Sequence, residues 1–172
     1  NHFLVRQGDG QFVNAAGVKG LACGFSGQAD ACMGIATGDF DRDGSLDLHI
    51  ANYSKESANH FLQQNEGAFV DMAVRYGIDT FTLPHIGFGT KAVDVDRNGW
   101  LDLIVTNGHV FDRRRDGEAF KMPPQFLTNR GNRFELAVVE DRSGYWDGNY
   151  LGRSIAMTDF DRDGSIDFLV GH

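Results

Sequence analysis

The chain has 172 residues, enough for one ordinary domain with its own core, and its net charge of −8 sets aside nucleic acid and anionic membrane as main partners. No apolar run approaches the roughly 20 residues of a spanning helix and no signal peptide opens the chain, so membrane insertion is not expected. With 22 glycines against three prolines, the composition suits many short strands joined by tight turns.

At the start, Asn1-His2-Phe3-Leu4 and, further on, Gly10-Gln11-Phe12 read as two strands of a hairpin bent at Gly8-Asp9-Gly10. Because the first residue is Asn rather than Met, the chain is read as a piece of a longer, processed protein. Cys23 and Cys32 are the two cysteines, nine apart around a glycine-rich turn; a disulfide and a pair of buried free thiols both stay open. A strand over 33–38, with the small residues Gly34 and Ala36, runs into Asp39-Phe40-Asp41-Arg42-Asp43-Gly44-Ser45-Leu46-Asp47. A strand over 46–51 leaves it; Leu46, Leu48 and Ile50 alternate, and His49 between them is expected to face solvent. A second hairpin pairs 59–64 with 68–73 around Asn65-Glu66-Gly67, and 71–77 is expected to hold a helical turn within a connection running to 86.

The pattern then returns. A strand over 87–93 (Gly89, Ala92) enters Asp94-Val95-Asp96-Arg97-Asn98-Gly99-Trp100-Leu101-Asp102, and one over 101–106 leaves it. A long connection, 107–123, carries Arg113-Arg114-Arg115 and leads to a hairpin of 124–129 with 133–138 around Arg130-Gly131-Asn132. The last copy is a strand over 153–158 (Ser154, Ala156), the loop Asp159-Phe160-Asp161-Arg162-Asp163-Gly164-Ser165-Ile166-Asp167, and a strand over 166–170. The loops start at 39, 94 and 159, a spacing of 55 and then 65.

Each loop places oxygen-bearing side chains at positions 1, 3, 5 and 9, with glycine at position 6 to let the backbone turn through φ > 0. Such a density of carboxylates repels itself unless a cation sits among them, and hard oxygen donors suit Ca²⁺, which takes six to eight at about 2.3–2.6 Å. Position 7 (Ser45, Trp100, Ser165) changes type between copies, as expected for a ligand offered through the backbone carbonyl. The loops hold four, three and four acids, so three Ca²⁺ would bring the charge from −8 to about −2. These are not EF-hands: position 12 is Ile50, Val105 or Val170 rather than Glu, and the flanks have the period of strands. Loops of this kind fill best where Ca²⁺ is millimolar, which points to an extracellular, periplasmic or cell-surface location.

One unit therefore contains four antiparallel strands, the signature of a β-propeller blade. The fold class expected is all-β: a half-blade over 1–32, blades over 33–86 and 87–152, and a half-blade over 153–172. These amount to about three blades, fewer than the four to eight that close a propeller. The favoured reading is an arc of a larger propeller; closure by the fragment itself or by self-association is the less favoured one.

The loops set between blade strands resemble the FG-GAP/VCBS repeats found in the integrin α-subunit propeller head. Gly87-Phe88-Gly89 echoes the name-giving motif, from which Met33-Gly34-Ile35 and Arg153-Ser154-Ile155 depart. Asn59-His60-Phe61-Leu62-Gln63-Gln64-Asn65 is similar to the hairpin stretch of these repeats. Asn107-Gly108-His109-Val110, Pro123-Pro124-Gln125-Phe126-Leu127-Thr128-Asn129 and Gly152-Arg153-Ser154-Ile155-Ala156 resemble the branch that carries an ASPIC/UnbV domain after the propeller and includes cartilage acidic protein. The resemblance implies up to three Ca²⁺. The first would be held by Asp39, Asp41, Asp43, Ser45 and Asp47, the second by Asp94, Asp96, Asn98, Trp100 and Asp102, and the third by Asp159, Asp161, Asp163, Ser165 and Asp167. Asn98 removes a charge, so the middle site is expected to be weakest.

No nucleophile elbow, metalloprotease, P-loop or dinucleotide fingerprint is present, and no enzyme activity is expected. The expected function is a calcium-binding scaffold whose partners are the rest of the propeller and an unidentified protein or glycan. The alternative is a propeller-based polysaccharide lyase or hydrolase, or a lectin. A His109 site with Arg113–Arg115 and sugar platforms at Trp100 and Trp146 are the features that would serve it; His2 and His60 read as structural, and His85 lies near a blade loop.

Overall fold

The computed structural model describes residues 1–140 and 142–172. Strands β1 (Leu4–Arg6) and β2 (Phe12–Asn14) form the first hairpin, followed by a short helix α1 (Ala16–Lys19). Strands β3 (Cys32–Gly38), β4 (Asp47–Asn52), β5 (Asn59–Gln63) and β6 (Phe69–Asp71) make one antiparallel sheet in sequence order. Helix α2 (Ile78–Thr82) bridges to a second sheet of the same order, β7 (Gly87–Val93), β8 (Asp102–Asn107), β9 (Gln125–Asn129) and β10 (Phe134–Leu136). A final pair, β11 (Ser154–Thr158) and β12 (Asp167–Gly171), completes the described strands.

The two four-stranded sheets are propeller blades, and their registers coincide. His49 pairs with His60 in the first and Ile104 with Phe126 in the second. Among the described residues the sheets form an open arc with the first strands side by side, β3 against β7 and β7 against β11. Glycine makes that approach close. A Cβ on Gly34 would run into the Phe88 carbonyl, and one on the equivalent Gly89 would lie 2.8 Å from the Ile155 nitrogen. The expected hairpin turns are also found, with positive φ at Gly10, Glu66, Gly67 and Gly131.

Each gap between neighbouring sheets holds a core. Phe61, Phe69, Leu21 and Ala16 fill the first, with Phe3 edge-on to Phe69. Phe40, Leu62, Leu103, Leu127, Phe134 and Ile78 fill the second, and Val93, Ile104 and Ile155 the third.

One expectation needs correction, and two further points are decided by the structure. His49 does not face solvent: it is fully buried, because β4 is covered on both faces and alternation carries no inside–outside information there. The helical turn expected within 71–77 is present, with Tyr76 N–H donating to Met72 O at 2.9 Å, and the short helix α2 follows it at Ile78–Thr82, after Gly77 takes φ 71°. Cys23 and Cys32 are unbonded and half-buried, the Cys32 thiol donating to Asn1 Oδ1 at 2.8 Å.

His60 is likewise fully buried, its ring centroid 4.9 Å from Phe40 and 5.3 Å from both Phe134 and Tyr76. Burial holds His49 down at about 4 and His60 well below its usual value, so both are neutral in the fold. An unfolded histidine titrates near 6.5, so below that pH the unfolded chain takes up protons that the folded chain refuses. This contribution to stability is complete above about pH 6.5 and is lost on acidification toward 4. Asp47, raised by burial to about 6, has the opposite slope. A comparison with His60→Phe, which installs the residue found at the equivalent position 126, isolates the histidine term. On going from pH 7 to pH 5 the acid-induced loss of urea midpoint is expected to be smaller in the variant than in the wild type; an identical pH dependence would contradict the assignment.

Candidate metal centre

In each loop the first aspartate folds the backbone around itself. Asp39 accepts from the Asp43 N–H through Oδ1 (3.0 Å) and from the Gly44 N–H through Oδ2 (3.0 Å), and Ser45 N–H donates to Asp43 Oδ1 at 2.7 Å. Asp94 and Asp159 make the same bonds, to Asn98 and Gly99 at 3.0 and 2.8 Å and to Asp163 and Gly164 at 3.0 Å each. Trp100 and Ser165 likewise donate their N–H groups to the side chain at position 5, each at 2.7 Å. Gly44, Gly99 and Gly164 take φ of 88°, 88° and 86°, the left-handed turn that position 6 was expected to need.

This winding converges the acids. Oxygens of Asp39, Asp41 and Asp43 lie within 4.8 Å of one another, as do those of Asp94, Asp96 and Asp102 and those of Asp159, Asp161 and Asp167. Burial raises the Asp41 carboxyl and the carboxylates of Asp43 and Asp39 push it the same way, against the Asp43 N–H bond, which lowers it. Small clusters of hard oxygens around a glycine turn fit a Ca²⁺ ion by donor chemistry and spacing. Asn98 Nδ2 meanwhile donates to Asp96 Oδ2 at 2.9 Å, so the middle cluster contains an internal bond that the carboxylates Asp43 and Asp163 are unable to make.

The ninth residue has a second task that its position in the motif did not reveal. Asp47 is fully buried; Oδ2 accepts from Phe40 N–H and Oδ1 from Gln63 N–H, both at 2.8 Å. Asp102 does the same with Val95 (3.1 Å) and Asn129 (2.9 Å). Each clamps its loop to the third strand of the blade. Asp167 accepts from Phe160 at 2.8 Å.

A further recurrent residue is the arginine at position 4. Arg42, Arg97 and Arg162 all take positive φ (63°, 57° and 62°), a left-handed conformation costly for a side chain of this size. Arg42 sits 5.1 Å over the Trp100 ring, and Arg97 Nη2 donates to Gly164 O at 2.8 Å, so each of these two reaches the next loop along the chain. The signal was present in the sequence as the same residue in the same place three times.

The other candidates do not converge on one site. His109 is buried, with Nδ1 accepting from Phe111 N–H (2.9 Å) and Nε2 2.9 Å from Glu118 Oε2; both nitrogens fasten the 107–123 connection. Arg113, Arg114 and Arg115 are exposed, and Arg114 pairs with Asp112 at 2.6 Å. Trp100 lies beneath Arg42 and against Gly131, where a Cβ would meet its ring at 2.9 Å. Trp146 borders a cleft of about 430 Å³ with Tyr145, Phe168 and His172. Another cleft, of about 480 Å³, lies among Phe25, Asp30, Lys55, Glu56 and Asp71. Its Asp71 is saturated by N–H groups of Phe25, His60 and Ala73 and by Asn59 Nδ2.

Residues 39–105 match the model of the FG-GAP-like repeat. That span contains the first two acidic loops and the strands between them, so the resemblance read from the motifs is borne out. Cartilage acidic protein 1 of Xenopus tropicalis is 27% identical over 175 residues, an alignment that covers 100% of this chain and 25% of the relative. The chain thus spans about a quarter of the length of the curated relative it matches. No helix among the described residues is long and apolar enough to cross a membrane.

If the ninth residue is a clamp as well as a potential ligand, Asp47→Asn retains two-atom geometry but replaces an acceptor oxygen with a donor, leaving one of two buried N–H groups unpaired. A loss of about 1–3 kcal/mol in urea denaturation is expected even in excess chelator. Asp43→Asn, at an exposed position, is expected to change stability in chelator by less than about 0.5 kcal/mol.

Proposed function

We propose that this chain is a calcium-braced propeller segment, a structural and binding scaffold of an exported or cell-surface protein. The convergence of the three acid clusters, together with the FG-GAP-like match across two of them, carries the reading. Asp39, Asp41, Asp43, Asp47 and the Ser45 carbonyl would hold one ion; Asp94, Asp96, Asn98, Asp102 and the Trp100 carbonyl the second; and Asp159, Asp161, Asp163, Asp167 and the Ser165 carbonyl the third. Bound Ca²⁺ supplies positive charge that offsets the repulsion among carboxylates. The loop residues would hold and orient it, and the buried ninth acid would pass the constraint to the blade. The arc would be completed by further blades of the same protein, and the face bearing the open cleft around Phe25 would meet a protein or glycan.

A second reading, a carbohydrate-active or lectin-like site, draws support from the same cleft, where acids outside the metal loops adjoin the exposed Phe25. The hydrogen bonds that saturate Asp71 favour binding over acid–base chemistry.

Binding to the folded state alone contributes about 2.7 kcal/mol per site at a hundredfold excess over Kd. Saturating Ca²⁺ is therefore expected to raise the melting temperature by several degrees over EGTA, and calorimetry to resolve up to three sites with the middle one weakest. Asn98→Asp is expected to tighten that site. Calorimetry without heat of binding and a melt indifferent to EGTA would defeat the proposal.

A further inference from the structure

The interface between the two four-stranded sheets encloses a small polar cavity that the metal loops do not use. His49 and Asn52 of β4 line it on one side and Asn107 at the end of β8 on the other, with Gly87 and Thr82 nearby. Its volume is about 10 Å³, close to the room that one water molecule requires.

Asn52 and Asn107 occupy equivalent places, each ending the strand that leaves an acidic loop, and they are 2% and 1% exposed. Their amide nitrogens are committed. Asn52 Nδ2 donates to Ser57 O and Asn59 Oδ1, both at 2.8 Å, and Asn107 Nδ2 to Pro123 O at 2.9 Å and Gln125 Oε1 at 3.1 Å. All four partners are acceptors, which fixes the amide orientation and turns each Oδ1 the other way. Both Oδ1 atoms are buried without a partner among the described residues, and so are both ring nitrogens of the fully buried His49. A buried polar atom left unpaired costs about 1–3 kcal/mol, and the three residues that carry these four atoms all line one cavity.

Counting defines a guest that satisfies three of these four atoms. Two carbonyl-type oxygens require two donated hydrogens, and a neutral imidazole offers one N–H. Water donates twice and accepts at least once. Ca²⁺ is poorly matched: even with Glu56, which also lines the cavity, the groups present fall short of the six to eight oxygens it takes. We propose that the cavity holds one buried water molecule, donating to Asn52 Oδ1 and Asn107 Oδ1 and accepting from the His49 imidazole N–H, as a polar tie between the two blades.

A high-resolution crystal structure of the wild-type chain tests this directly. One isolated density peak about 2.7–3.2 Å from the three groups is expected. His49→Phe keeps a planar ring and removes the N–H. With the water present it takes away one of its three partners, and the melting temperature is expected to fall by about 2–4 °C. In a dry cavity the same change replaces an unpaired imidazole with an apolar ring, and the melting temperature would rise. Empty density, an ion revealed by anomalous scattering after a rubidium or thallium soak, or an unchanged or higher melting temperature for His49→Phe overturns the proposal. If the variant does not fold, the wild-type density decides.

Discussion

A buried carboxylate at the end of an acidic loop is the tie on which each blade depends. Asp47 and Asp102 take one N–H from within their own loop and one from the third strand of their sheet. The loop's shape, the spacing of its first and second strands, and the docking of its hairpin are therefore set by one side chain. Burial opposes the charge on that side chain and raises Asp47 to about 6 and Asp102 in the same direction. The two N–H bonds oppose this shift, and a cation among the neighbouring acids would oppose it further.

The second constraint is distance. The sheets meet through their first strands, and Gly34 and Gly89 allow backbone to lie on backbone. Outward from that line the gap widens and larger side chains fill it, Phe40 with Phe134 and His60 in one interface and Ile104 with Ile155 in the next. The repeated residues experience different surroundings. Phe40 is wholly buried beneath the next sheet, whereas its counterpart Phe160 is 84% exposed. The motif fixes the position of the aromatic ring; the neighbouring sheet fixes its environment.

These two constraints suit a scaffold. Several side chains with the chemistry for catalysis are committed elsewhere: His109 fastens a long connection, Asp71 collects four donors, and His49 and His60 lie in the interior. Arg42 and Arg97, at loop position 4, add contacts to the next loop, so the acidic loops form a linked row.

The repeat was legible because its signals are local. Alternate acids, a glycine at position 6 and a hairpin with glycine at its bend each report a backbone conformation within a few residues, and the strands, turns and acid clusters follow from them. The burial of His49, the clamp made by Asp47, the stacking of Arg42 on Trp100 and the polar cavity beside Asn107 were not legible. Each depends on a segment brought from elsewhere in the chain: β7 of the next sheet packs on β4, Gln63 reaches Asp47, Trp100 receives Arg42, and β8 faces Asn52. Sequence by itself determined the repeating unit and the oxygen-rich loops, since those arise from short-range sterics and charge. Only the tertiary structure decided which polar groups are buried and what they bind, since solvent exclusion is a property of the assembled sheets and not of any single strand.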